Sequence, residues 1–209
     1  MLLSVLGIFF LYFLSTFSQP NIIELYEIPE YEGKQVIVEG IVTEHYTTSY
    51  GSQIIEIKSG TIEDNSTVVI FVEKETNVEY GDTIQATGEV QKYKGEWEVV
   101  VSDERFVKTV QKWQDIIMPL WQLAGNPDRY IGMNVNVTGI VDRTYDTYFY
   151  LLDSDEARSI VVFYNPSAYH IYEGNRVYVA GKFVYDEDNL RYVLQVDEEI
   201  HNISVAGGK

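Results

Sequence analysis

The sequence predicts an all-β protein: two tandem five-stranded barrels after an N-terminal hydrophobic helix. Three observations carry this. A stretch of roughly 85–90 residues recurs within the chain, the mark of a duplicated structural unit. Inside both copies apolar residues alternate with period two rather than 3.6, as in half-buried strands. Gly, Asn and Asp separate the alternating runs at short intervals, as turns do between the short strands of a barrel. The chain has 209 residues, of which 45% are hydrophobic, too many for a disordered polymer and enough for two small cores. It has no Cys. That excludes a disulfide scaffold, a thiolate zinc site, a cysteine nucleophile and a lipobox-type anchor.

The elements follow in chain order. Met1 to Phe17 carries no charge, and its only polar residues are Ser4, Ser15 and Thr16. This run is at the short limit for a helix crossing ~30 Å of hydrocarbon and is long for a signal-peptide core. It therefore reads either as an uncleaved membrane anchor or as a signal peptide cut after Ser18. Residues 21–209 are then expected outside the cytoplasm, single-pass anchored or secreted. Asn21 to Tyr31 is a short apolar lead-in. The first-copy strands are expected at 36–42, 53–58, 67–72, 83–91 and 97–101. A second lead-in, Lys112 to Tyr130, opens the second copy. The expected domains are 1–20 (anchor or signal), 21–110 and 111–209.

The copies match residue by residue. Tyr31, Gly33, Val36, Val38, Gly40, Ile41 and Val42 recur as Tyr130, Gly132, Val135, Val137, Gly139, Ile140 and Val141. TVVIFV at 67–72 reads on SIVVFY at 159–164. Gly81 and Gly88 fall on Gly174 and Gly181, and Trp97, Val99 and Val101 fall on Tyr192, Leu194 and Val196. The mid-strand glycines 40, 88, 139 and 181 suit the corners of a small barrel, where a side chain would resist the bend.

The spaced Tyr, Gly and Val set, followed by G-D/N-x-I/V-x-x-x-G and a last alternating strand, resembles the OB-fold of the nucleic-acid-binding, tRNA-anticodon-domain-like kind. The resemblance covers residues 21–205, twice over. It implies Greek-key barrels with a binding face on the second and third strands. In the second copy Phe149 and Leu151 align with Ile55 and Ile57 and are expected inside. Tyr148 and Tyr150 then face out, with Arg143, Arg158 and Arg191 as candidate neighbours. Aromatic platforms with basic residues are how such domains stack bases. The first copy has Glu56 and Lys58 at the matching outward positions and no aromatic pair.

Charge works against a nucleic-acid ligand. The formal net charge is −17; residues 21–110 hold 7 basic and 18 acidic side chains, and residues 111–209 hold 8 and 14. Phosphate binding draws its free energy from counterions displaced by Lys and Arg, and no basic run is present. No catalytic constellation is visible. His45, His170 and His201 sit at unrelated positions and read as separate surface side chains rather than metal ligands. The carboxylates Asp153, Asp155 and Glu156, and Asp186, Glu187 and Asp188, lack the spacing of a calcium loop and read as solvated turns. No cofactor and no metal are expected. Anchored haem chaperones also join one N-terminal helix to an OB barrel, and they hold haem through a His followed closely by a Tyr. Here His201 precedes Asn202, Ile203 and Ser204, so haem is not implied. Asn65, Asn136 and Asn202 open glycosylation sequons. Asn136 alternates with inward Val135 and Val137 and is expected to face outward, open to modification.

These readings combine into a non-enzymatic, membrane-anchored extracytoplasmic binding or assembly module of tandem OB folds. Its partners would be the membrane through residues 1–17 and a protein or glycan. The alternative is a single-stranded nucleic-acid-binding OB-fold protein.

Overall fold

The computed structural model describes residues 20–61, 63–155 and 157–206. These form two compact units. One takes the described residues up to Gly40 together with Thr47–Thr76 and Gln85–Lys108; the other takes Ile41–Tyr46, Asn77–Ile84 and the residues from Thr109 onward.

The first sheet contains β1 (Asn21–Ile22), β2 (Gln35–Thr47), β3 (Gln53–Lys58), β4 (Thr67–Val72), β5 (Thr83–Tyr93), β6 (Glu96–Val101) and β7 (Val107–Gln111). Its order is β1-β2-β3-β4-β6-β5-β7, and β2 also pairs with β5. Strands β2 to β6 thus close on themselves. β4 and β6 run parallel and the hairpins β3–β4 and β5–β6 run antiparallel, which is the OB-type Greek key. The second sheet repeats it with β8 (Ile117–Pro119), β9 (Asn134–Thr144), β10 (Tyr148–Leu152), β11 (Ser159–Phe163), β12 (Arg176–Asp186), β13 (Arg191–Gln195) and β14 (Asn202–Val205). Its order is β14-β12-β13-β11-β10-β9-β8, closed by β12–β9. The expected strands at 53–58 and 67–72 match β3 and β4 residue for residue.

The alternation reaches its physical end inside each barrel. Ile55, Ile57, Ile70, Val99, Phe149, Leu151, Val162 and Leu194 have no exposed surface. The matched residues meet the same partners. Ile70 lies beside Val99 as Val162 lies beside Leu194, and Val90 faces Val99 as Phe183 faces Leu194. The turns are duplicated too. Gly33 N–H donates to the Val90 carbonyl and Gly132 N–H to that of Phe183, both at 2.8 Å. Gly81 N–H donates to the Val42 carbonyl at 2.9 Å, and Gly174 N–H to that of Val141 at 2.8 Å. Gly81 and Gly174 both have φ in the left-handed region (91° and 83°), which a side chain disfavours. At the mid-strand glycines the reason for glycine is a close approach. A Cβ on Gly88 would stand 2.4 Å from the Val100 carbonyl oxygen, and one on Gly139 2.5 Å from that of Leu152.

Each lead-in contains a short parallel strand, β1 on β2 and β8 on β9. It then turns into a helix whose i and i+3 apolar residues enter the core. These are Leu25 and Ile28 on the 3-10 helix Leu25–Tyr31, and Leu120 and Leu123 on α1 (Leu120–Gly125). Neither the short parallel strands nor the trailing strands β7 and β14 are visible as alternation.

The expected cellular placement is corrected. No helix among the described residues is long and apolar enough to cross a membrane. The longest, Leu25–Tyr31, has 7 residues, and at ~2 Å per residue it would span about half of a ~30 Å core. The anchor expectation at residues 1–17 falls outside the described residues. The location drawn from it, membrane-bound with residues 21–209 extracytoplasmic or else secreted, is withdrawn.

Candidate functional site

The strand β10 alternates as expected: Phe149 and Leu151 are wholly buried, and Tyr148 and Tyr150 are half-buried on the outer face. The β9–β10 connection is tight, with Tyr145 N–H donating to the Tyr148 carbonyl at 2.8 Å. This brings the exposed ring of Tyr145 parallel to that of Tyr148, with centroids 4.6 Å apart and planes at 17°. Tyr150 stands edge-on to both, at 6.0 Å from Tyr148 and 6.1 Å from Tyr145. Antiparallel pairing sets Phe163 of β11 opposite Tyr148, with ring centroids 5.9 Å apart. Four aromatic rings therefore share one outer face of the second barrel.

Two cations border this face. The Arg143 guanidinium lies 4.9 Å from the Tyr150 ring centroid, and that of Arg191 lies 6.0 Å from the Phe163 centroid, both within cation–π range. Each also has an acidic neighbour. Arg143 Nε donates to Asp142 Oδ2 at 2.9 Å, and this bond raises the Arg143 pKa further above its ordinary value. Arg191 Nε stands 3.7 Å from Asp186 Oδ2. Asn189 holds the Asp186 carboxyl below the usual carboxylate range by hydrogen bonding, so Asp186 stays charged. The face offers planar rings with locally neutralised cations. Its chemistry is stacking more than phosphate attraction.

Of the sequence-derived candidates, the fold gathers Tyr148, Tyr150, Arg143 and Arg191, and leaves Arg158 out. Arg158 lies in the turn before β11 with its guanidinium 4.0 Å from Asp153. That is the far end of the β10–β11 hairpin from Phe163, some ~17 Å away at ~3.3 Å per residue. Sequence reasoning missed Tyr145 and Phe163. Tyr145 was legible as the last matched residue of the first repeat block. Phe163 was obscured because β11 buries Ile160, Val161 and Val162 in succession.

Two other expectations change. His201 is a buried histidine, not a surface one. Its Nδ1 accepts from Asp197 N–H and its Nε2 meets Asn134 Oδ1, each at 3.0 Å, so the neutral ring carries its proton on Nε2. Both ring nitrogens are therefore occupied. Burial lowers its pKa below 6.5. Asn136 is in the interior of the second sheet, paired with Ala180 on one side and Ile117 on the other. Its amide donates to the Gln114 carbonyl at 2.8 Å, so it is not free for modification. Asn65 and Asn202 are exposed. Among the described residues no three His, Asp or Glu side chains converge as a metal site.

A further polar cluster lies within the second unit. Asp82, fully buried, accepts from Trp113 N–H on Oδ1 at 3.2 Å. Its Oδ2 accepts from Glu79 N–H at 3.1 Å and Lys112 Nζ at 2.8 Å. Trp113 Nε1 donates to Glu79 at 2.7 Å.

No family model matches the chain, and no curated protein matches it. Solved structures match the chain at low similarity. Asparaginyl-tRNA synthetase from Pyrococcus horikoshii is 20% identical over 43% of this chain and 23% of its own, with a TM-score of 0.35. Telomere capping protein Ten1 from Saccharomyces pombe is 16% identical over 44% of this chain and 81% of its own, with a TM-score of 0.31. A murine DNA-binding protein bound with double-stranded DNA is 14% identical over 84% of this chain and 98% of its own, with a TM-score of 0.33. The chain spans less than a quarter of the synthetase. At these values no ligand, activity or partner passes from them to this chain.

Proposed function

We propose that the chain is a non-enzymatic binding module and that the second barrel takes a single strand of nucleic acid on its aromatic face. The observation that carries this is the shared outer surface of Tyr145, Tyr148, Tyr150 and Phe163, with Arg143 and Arg191 at its border. Stacking on aromatic rings contributes ~1–3 kcal/mol per base and tolerates any sequence. Three bases at ~2 kcal/mol each correspond to a Kd of about 40 µM. The acidic composition limits the affinity to what stacking supplies and keeps salt dependence small.

The test is fluorescence anisotropy of labelled 15-nucleotide oligo-dT and oligo-U at two salt concentrations. Binding in the range of ~10–100 µM is expected. Its salt slope should be about −1.4, that of two phosphate contacts on a single strand. Tyr148→Ala with Tyr150→Ala should remove it while circular dichroism stays that of a folded barrel. Absence of binding at 100 µM in about 0.15 M salt, or unchanged binding by the folded double variant, defeats the reading.

A further inference from the structure

The second unit contains a cavity of about 290 Å3 lined by Leu120, Leu123, Ala124 and Pro127 from α1 and its exit, Ser159 and Ile160 of β11, Phe183 of β12, and Arg191 and Tyr192 of β13. One wall is the Tyr192 ring, which is stacked on the buried Phe183 ring behind it, centroids 5.2 Å apart at 15°. One donor is unmet: Arg191 Nε is enclosed and has no hydrogen-bond acceptor, its nearest carboxylate oxygen being that of Asp186 at 3.7 Å. Carboxylates stand beside the lining: Asp186 Oδ2 lies 3.7 Å from Arg191 Nε, too far for a hydrogen bond, and Asp128 Oδ1 accepts from the Tyr192 hydroxyl at 2.9 Å. An anion would meet that negative charge. A neutral planar molecule with a hydrogen-bond acceptor would not.

We infer that this cavity is a site for a neutral purine base. The volume equals that of about ten liquid waters at ~30 Å3 each, which admits a two-ring base. The base lies against the half-buried Tyr192 ring, and its N7 or O6 accepts from Arg191, the pairing guanidinium groups make with guanine edges. The inference rests on the single-strand reading for its setting, because Arg191 also borders the aromatic face at Phe163. It would let the barrel take one base inside while others stack outside.

The probe is guanosine, titrated into the full chain and followed by the methyl resonances of Leu120, Leu123 and Ile160. Saturable shifts with a Kd below about 1 mM are expected, with uridine giving none over the same range. Arg191→Gln should weaken guanosine at least about tenfold, the loss of one charged hydrogen bond. Ala124→Phe, at an exposed helix position that lines the cavity, should abolish guanosine shifts and leave oligo-dT anisotropy as it was. If guanosine moves no methyl at about 5 mM while oligo-dT binds, the cavity assignment falls and the stacking face stands. If oligo-dT fails and guanosine still binds in competition with the Ala124→Phe side chain, the strand reading falls and a purine nucleoside site remains. Equal response to uridine, or guanosine binding unaffected by Ala124→Phe, overturns the assignment.

Discussion

Replacing Asp82 by Asn separates a turn from the cluster built on it, and the duplication supplies the control. The second-copy counterpart is Asn175, whose Oδ1 accepts from Tyr172 N–H at 3.1 Å, as Asp82 accepts from Glu79 N–H three residues before it. An amide therefore suffices for the turn. Asp82 has two further donors to satisfy, Trp113 N–H and Lys112 Nζ. Asn has one acceptor oxygen and would point its NH2 either at Trp113 N–H or at Glu79 N–H and Lys112. Hydrogen bonds to a charged group contribute ~1.5–3 kcal/mol each. Lys112 keeps a third of its surface in water, so its share is discounted for screening. The expected loss for Asp82→Asn is about 2–3 kcal/mol, near 1 M in the urea midpoint at an m-value of ~2 kcal/mol/M. Asn175→Asp keeps an acceptor at a half-exposed turn and should stay within ~0.5 kcal/mol of wild type. Urea unfolding at pH 7 followed by circular dichroism decides it. An unchanged midpoint for Asp82→Asn, or equal losses for the two variants, would show that the three donors do not depend on the Asp82 carboxylate.

The mid-strand glycines should grade by clearance. Gly139→Ala, with its Cβ 2.5 Å from the Leu152 carbonyl oxygen, should cost ~1–3 kcal/mol, and Gly181→Ala, at 3.1 Å from that of Gln195, clearly less; thermal midpoints compare them. His201 gives an acid-sensitive contribution. The unfolded chain takes up a proton near pH 6.5 and the folded chain only lower, so this stability is complete above 6.5 and declines as pH falls from 6.5 towards the folded pKa. His201→Gln should flatten the dependence of the urea midpoint between about pH 6.5 and 5; an unchanged slope contradicts the assignment. Arg143→Ala should weaken oligo-dT binding several-fold with little effect on the thermal midpoint, since the side chain is exposed; a large loss of stability would mean that it holds the barrel rather than the ligand.

Alternation and duplicated glycines were enough to locate the ten barrel strands, because a strand's inward set is local information: Phe149 and Leu151 must share a side, and that side must be apolar. Period two says which side is inward but not what covers the outward one. Tyr148 and Asn136 both face away from the core on correct readings. The first joins an open aromatic face, while the second lies in a strand flanked by β8 and β12 with its amide bonded to Gln114. Short elements left no trace for the same reason, since two residues of β1 or three of β8 are too few to show a period. Distant convergence belonged to the tertiary structure alone. Antiparallel pairing brings Phe163 to Tyr148, chain return brings Trp113 to Asp82, and closure of the second barrel brings His201 to Asn134 across 67 residues. A buried polar group must find its hydrogen bonds wherever the packed chain delivers a partner, and spacing along the sequence does not contain that address.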